Sequence, residues 1–98
     1  MGEKAFNNCT SLTIITIPSK VKKIGKKAFY QCKNLQYILV KTKKLKPGNI
    51  GAGVFGNGYS NPRVKLDKSV WKQYQNVFIS KGLSSKALFL INPAKLVV

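Results

Sequence analysis

The 98-residue chain carries eighteen basic residues, all lysine except Arg63, against two acids, Glu3 and Asp67, and no histidine, for a formal charge of +16. That balance excludes a histidine-based triad, a glycosidase-type carboxylate pair, a two-metal site, a calcium loop and a four-ligand zinc site, so neither catalysis nor a cofactor is expected. With 44% hydrophobic residues the chain suits one small globular domain; no apolar run nears the ~18–20 residues of a membrane span, and Met1–Phe6 lacks the apolar stretch of a signal peptide.

In chain order, the first element is half of an internal repeat. Residues 2–17 laid over 25–40, a shift of 23, match at Gly2/Gly25, Lys4/Lys27, Ala5/Ala28, Phe6/Phe29, Cys9/Cys32, Leu12/Leu35 and Ile15/Ile38 without a gap. Leu12, Ile15 and Ile17 then read as L-x-x-L-x-L, with a short strand whose alternate side chains point inward and whose Thr13 and Thr16 face out. Pro18 ends that strand because it has no N–H for a ladder. Val21 and Ile24 begin the return path, Gly25 is expected to allow a tight turn, and Ala28-Phe29 to open a short helical turn. Leu35–Val40 is the next strand, stacked beside the first at ~4.8 Å.

A degraded third copy follows at a shift of 26, with Ile50-Gly51 on Ile24-Gly25, Phe55 on Phe29, Val64 on Ile38 and Leu66 on Val40. Gly58 replaces the cysteine, and three extra residues with several glycines point to a looser turn. Within this copy Gly51, Gly53 and Gly56 match G-x-G-x-x-G, a dinucleotide fingerprint. No helix pattern follows it and no acid lies near 71–76 to take a ribose, so it reads as a turn.

Beyond residue 66 the pattern changes. Ser69 is a candidate N-cap, and Val70, Trp71, Tyr74, Val77 and Phe78 form an amphipathic stripe that predicts a helix over about 69–81. A short apolar strand is expected over about 87–91. Stacked repeats need their open ends covered, so residues 67–98 are read as a C-terminal cap on repeats spanning 1–66.

The run I-G-x-x-A-F-x-x-C-x-x-L-x-x-I-x-I-P resembles the BspA-type leucine-rich repeat. The resemblance covers residues 1 to about 66 and loosens in the third copy, which lacks both the Cys and the Ala-Phe pair. It implies a β-solenoid of leucine-rich-repeat type (α+β), right-handed, with about three short coils and a capping helix and strand. It also implies a non-catalytic module of a bacterial cell-surface or secreted protein, extracellular, engaged in adhesion or macromolecular binding. The alternatives are a purely structural end unit of a longer array and a basic module binding nucleic acid or an anionic glycan.

Candidate binding residues are the outward positions Thr13, Thr16, Gln36 and Tyr37, with Lys41, Lys43 and Lys44 nearby, facing a protein or glycan of another cell or host. The lysines recur at turns of every coil and read as a solvated face rather than a nucleic-acid footprint, since arginine is nearly absent and no nucleic-acid motif occurs. The exposed edge at 12–17 and the coil end around Phe6 suggest self-association, in a chain expected to be cut through a coil at Met1. Cys9 and Cys32 fall at equivalent positions, within reach of a disulfide; stacked free thiols are the preferred reading, because the side chains are parallel. Asn8-Cys9-Thr10 is a formal glycosylation sequon, discounted because Cys9 is expected to be buried.

Overall fold

The computed structural model describes residues 1–92. Four strands, β1 (Ile14–Ile17), β2 (Tyr37–Val40), β3 (Arg63–Asp67) and β4 (Leu88–Asn92), form one parallel sheet in sequence order. Each crossover returns the chain to the same place one strand further on. Ile14 lies opposite Tyr37, Tyr37 opposite Arg63 and Arg63 opposite Leu88, so the unit advances by 23, then 26, then 25 residues. A 3-10 turn (Pro47–Asn49) precedes β3, and one helix, α1 (Trp71–Ser80), precedes β4. The segment after residue 66 therefore contributes a fourth strand as well as a helix. The expected cap extends to residue 98, and its part beyond 92 lies outside the described residues.

Alternation inside each strand decides which face is core. Ile17, Ile38, Val40, Val64 and Leu66 are buried, whereas Ile14, Thr16, Arg63 and Lys65 are exposed. The phenylalanines at the repeat's fixed position stack behind the sheet, Phe6 on Phe29 at 5.3 Å and 2°, and Phe29 on Phe55 at 5.7 Å and 7°. Such a column requires successive coils to keep the same shape. It ends at Phe78 of α1, 5.1 Å from Phe55 but tilted by 54°, with Tyr74 completing the cover at 5.6 Å.

The expected helical turn at Ala28-Phe29 is not a helix, and the hydrogen bonds explain why. Phe6 N–H donates to the Ala28 carbonyl (2.7 Å) and Asn8 N–H to the Tyr30 carbonyl (2.8 Å); one coil later, Phe29 donates to Val54 (2.9 Å) and Gln31 to Gly56 (2.8 Å). The intervening donors bond locally, Asn7 to Lys4 and Tyr30 to Lys27, both 3.1 Å. Every second N–H is thus committed to the next coil and cannot serve a continuous helical ladder. Lys4, Lys27 and Gly53 hold positive φ at one level, and Asn8, Gln31 and Asn57 at another.

Gly25 is likewise conserved between copies for a different reason than turn formation. Its φ is not positive. A Cβ there would lie 2.4 Å from Glu3 N, and one at Gly51 would lie 2.4 Å from Lys26 N. These glycines let the backbones of neighbouring coils touch. The G-x-G-x-x-G run is absorbed in the same way: Gly51 permits close approach, Gly53 takes φ +66°, and the segment is a turn.

The three residues added in the second unit are taken up between β2 and Ile50. Lys41 N still bonds Ile17 O at the 23-residue spacing, while Ile24 and Ile50 pair at 26. The lengthened loop folds inward at Leu45, which is buried. Its N–H donates to the Tyr74 hydroxyl at 2.9 Å. Thr42, also buried, anchors the same loop by donating to Val21 O at 2.6 Å and accepting from Lys44 N at 3.0 Å.

Ser69 does not cap α1. The N-cap is Val70, without a side-chain bond. Instead the Asp67 carboxylate accepts both the Ser69 N–H and hydroxyl in a turn ahead of the helix. The stripe itself packs as its spacing requires, with Tyr74 and Phe78 buried and Val70, Trp71 and Val77 half-buried against the core.

Candidate functional site

The outward face of the sheet is built from two cross-strand rows. The first runs Ile14, Tyr37, Arg63, Leu88 and the second Thr16, Leu39, Lys65, Leu90. In a parallel sheet covered on one face only, residues of these rows have no core to enter, and two large apolar side chains remain open: Ile14 is 52% exposed and Leu88 54%. Arg63 and Lys65, both exposed, lie between them.

Two of the sequence-derived candidates, Thr16 and Tyr37, belong to these rows. Thr13 and Gln36 do not. Both are exposed, but both precede their strands, and their carbonyls carry the inter-coil bonds: Thr13 O accepts from Gln36 N (2.9 Å) and Tyr37 N (3.1 Å), and Gln36 O accepts from Arg63 N (2.9 Å). Thr13 and Thr16 are three apart, so strict alternation cannot place both on one face; Ile14 is the true neighbour of Thr16.

Gln36 and Tyr37 nonetheless meet Tyr59, Asn61 and Arg63 around an open recess of about 250 Å³ at the leading end of the strands. It brings two phenol rings, two side-chain amides and the only guanidinium of the protein together. Arg63 and Tyr59 were missed by sequence reasoning. Arg63 could have been found, because Val64 on Ile38 also puts Arg63 on Tyr37. Tyr59 lies in the altered third copy, where no repeat position announces it.

Lys41, Lys43 and Lys44 occupy the opposite edge, in the loop that leaves β2, and all are exposed. Lys43 Nζ is 3.8 Å from Asp67 Oδ1. The Asp67 carboxyl is held below its usual range by the Ser69 hydroxyl first, then by the Ser69 N–H, with a smaller pull from the Lys43 charge. This surface pair organises the loop and is worth little in solution.

The cysteines are free thiols. Cys32 is buried and donates to the Phe6 carbonyl at 3.0 Å, so it bonds across the coil instead of bridging. Burial pushes the Cys32 thiol up. Cys9, expected to be buried, is only half-buried, since it lies on the outer flank of the first coil. Among the described residues no group of three His, Cys, Asp or Glu side chains could hold a metal ion, and no helix is long and apolar enough to cross a membrane.

Comparison with curated proteins and with solved structures returned no match. The model of the BspA type leucine rich repeat region, six copies in that description, matches residues 1–90 and so continues well past the point at which the motif stops being legible by eye. Repeats of this family are generally non-catalytic binding modules, commonly on cell surfaces. The register of four strands, the phenylalanine column and this match agree: the chain belongs to the BspA-type leucine-rich repeat family.

Proposed function

We propose that the chain is a binding module of a bacterial cell-surface or secreted protein, a short solenoid that takes a protein partner on the outward face of its sheet. The observation that carries this reading is the first cross-strand row, where exposed Ile14 and Leu88 flank Tyr37 and Arg63. Aromatic residues and arginine set among apolar groups are what protein interfaces concentrate, and a strand face fixed by four coils presents them without ordering cost. The recess at Tyr59 and Asn61 extends the same surface.

The test is binding to an array of purified extracellular matrix proteins. Tyr37→Ala and Arg63→Glu are expected to weaken any binding seen by tenfold or more, with Thr13→Ala nearly neutral. Binding left intact by both row substitutions would refute the reading.

A second reading, that the chain is a purely structural end unit, is favoured by one observation. The tilt of Phe78 breaks the coplanar column, and α1 covers the side of Phe55 that another coil would otherwise need. The two roles are compatible, because the covering helix and the exposed strand row use different residues.

A further inference from the structure

The lysines are not spread evenly over the surface. The parallel strands all begin at one edge of the sheet and end at the other, which sorts the loops into two sets. The loops leaving the strands hold Lys20, Lys22 and Lys23 after β1, Lys41, Lys43, Lys44 and Lys46 after β2, and Lys68 after β3, and every one is exposed. The segments leading into the strands (9–13, 32–36, 58–62 and 83–87) hold only Lys33 and Lys86; apart from Leu12, Leu35 and Leu83, which pack inward, the rest are Asn, Ser, Thr, Gln, Tyr and small residues. Among the described residues one rim carries eight ammonium groups and the opposite rim two, and the only acid beside the basic rim, Asp67, is engaged with Ser69 and Lys43.

The fold brings the first two of these loops together as well as sorting them to one edge. Ile24 pairs with Ile50, so the longer second loop, with Lys41, Lys43, Lys44 and Lys46, lies against the first, with Lys20, Lys22 and Lys23. Their loops are tied side by side, Lys41 N to Ile17 O at 2.8 Å, Thr42 Oγ1 to Val21 O at 2.6 Å and Ile24 N to Asn49 O at 2.9 Å. Loops held this close crowd like charges along the rim. Folding itself gains nothing from that juxtaposition, which raises the local potential and favours a multivalent counter-ion.

We propose that this rim binds a linear anionic polysaccharide, one bearing sulfate or carboxylate groups at close intervals, independently of the strand face. Three features separate this ligand from a nucleic acid. The rim uses lysine throughout, a point charge without the planar fork that suits phosphate and base edges. Arg63 belongs to the strand row and not to the rim. The rim loops have no aromatic side chain on which a base could stack; the Tyr74 ring that meets the second loop at Leu45 is buried, and Trp71 at the start of α1 already has Lys72 Nζ 5.8 Å from its centroid.

The experiment measures affinity for heparin, for polygalacturonate and for a single-stranded oligonucleotide of matched charge, using fluorescence anisotropy or calorimetry. Parent protein is compared with a rim variant (Lys20→Gln, Lys44→Gln, Lys46→Gln) and a variant of equal net charge altered elsewhere (Lys26→Gln, Lys33→Gln, Lys86→Gln). All six residues are exposed, and circular dichroism with thermal melting confirms that both variants fold. Saturable polysaccharide binding is expected, tenfold or more weaker in the rim variant and within about twofold of the parent in the other. If four lysines are engaged, affinity should fall about fiftyfold between roughly 50 and 200 mM salt. Equal losses in the two variants would overturn the proposal, since net charge alone would then account for binding. Tighter binding of the oligonucleotide than of either polysaccharide would overturn it as well, as would no saturable binding at low salt.

Discussion

Replacing Gly51 by alanine tests whether contact between coil backbones, rather than turn flexibility, is what the repeat glycine provides. An alanine Cβ would sit 2.4 Å from Lys26 N, 2.5 Å from Lys26 Cα and 2.8 Å from the Gly25 carbonyl carbon, where ordinary contact begins at 3.4 Å. The opposing atoms are backbone and cannot rotate away, so the coils must separate by about 1 Å, the difference between 3.4 and 2.4 Å. Three bonds cross that seam: Ile24 N to Asn49 O and Gly51 N to Ile24 O, each 2.9 Å, and Lys27 N to Ala52 O at 3.1 Å. Stretched by that amount they cease to be hydrogen bonds. At about 1 kcal/mol net apiece the loss is about 3 kcal/mol, reduced by about 0.4–1 kcal/mol because alanine narrows the unfolded ensemble. Gly51→Ala should therefore destabilise by about 2–3 kcal/mol, lowering the melting temperature by roughly 10–20 °C for a domain of this size. Gly48→Ala is the control, since nothing lies within 4 Å of its Cβ position, and it should stay within about 0.5 kcal/mol of the parent. Urea titration of the three proteins decides the matter. A Gly51→Ala protein as stable as the Gly48→Ala one would refute the reasoning.

Two further substitutions probe the core. Tyr74→Phe strips the buried Leu45 N–H of its acceptor and should cost about 1–3 kcal/mol by urea denaturation. Burial raises the Tyr74 phenol above its ordinary value, only partly offset by the Leu45 N–H. The folded state holds that proton more tightly than the unfolded chain, so this contribution is intact below pH ~10 and lost as pH rises further. The stability gap between parent and Tyr74→Phe should accordingly narrow above pH ~10; a constant gap would contradict the assignment. For the thiols, native protein treated with a maleimide at neutral pH should label quickly at Cys9 and only on unfolding at Cys32, and Cys9→Ser should leave almost no native reactivity. Equal rates at both sites, or none at either in denaturant, would show that the thiols are not arranged as described.

The parts of this fold that repeat locally were legible, and those that depend on a neighbour were not. Ile15, Ile17, Ile38 and Val64 fell into register because a buried strand position demands an apolar residue whatever lies beside it. Phe6, Phe29 and Phe55 were legible for the same reason. The role of Gly25 was misread because close approach by residues 2–3 leaves no mark on the local sequence. The turn at Ala28-Phe29 was taken for helix because its donors are spent on residues more than twenty positions away. Among the candidate residues, Tyr37 lies on the outward row as alternation requires, while Thr13 was placed there by polarity alone and Ile14 was passed over for being apolar. Of the basic rim only Lys41, Lys43 and Lys44 stood out as candidates. In sequence its lysines recur in every coil, and only the parallel sheet, which brings all the outgoing loops to one side, turns that recurrence into a single edge.

The unequal lengths of the units, 23, 26 and 25 residues between paired strands, have a bearing on how such a surface can change over time. The sheet behaves as a ruler and the outgoing loops as slack. Three residues were admitted between β2 and Ile50 without moving any strand pairing, and the extra length was anchored by Leu45 beneath the hydroxyl of Tyr74. Resizing or recharging one edge thus leaves the opposite edge and the strand face as they were. A lineage built on this plan can revise what one rim recognises while the rest of the molecule stands still.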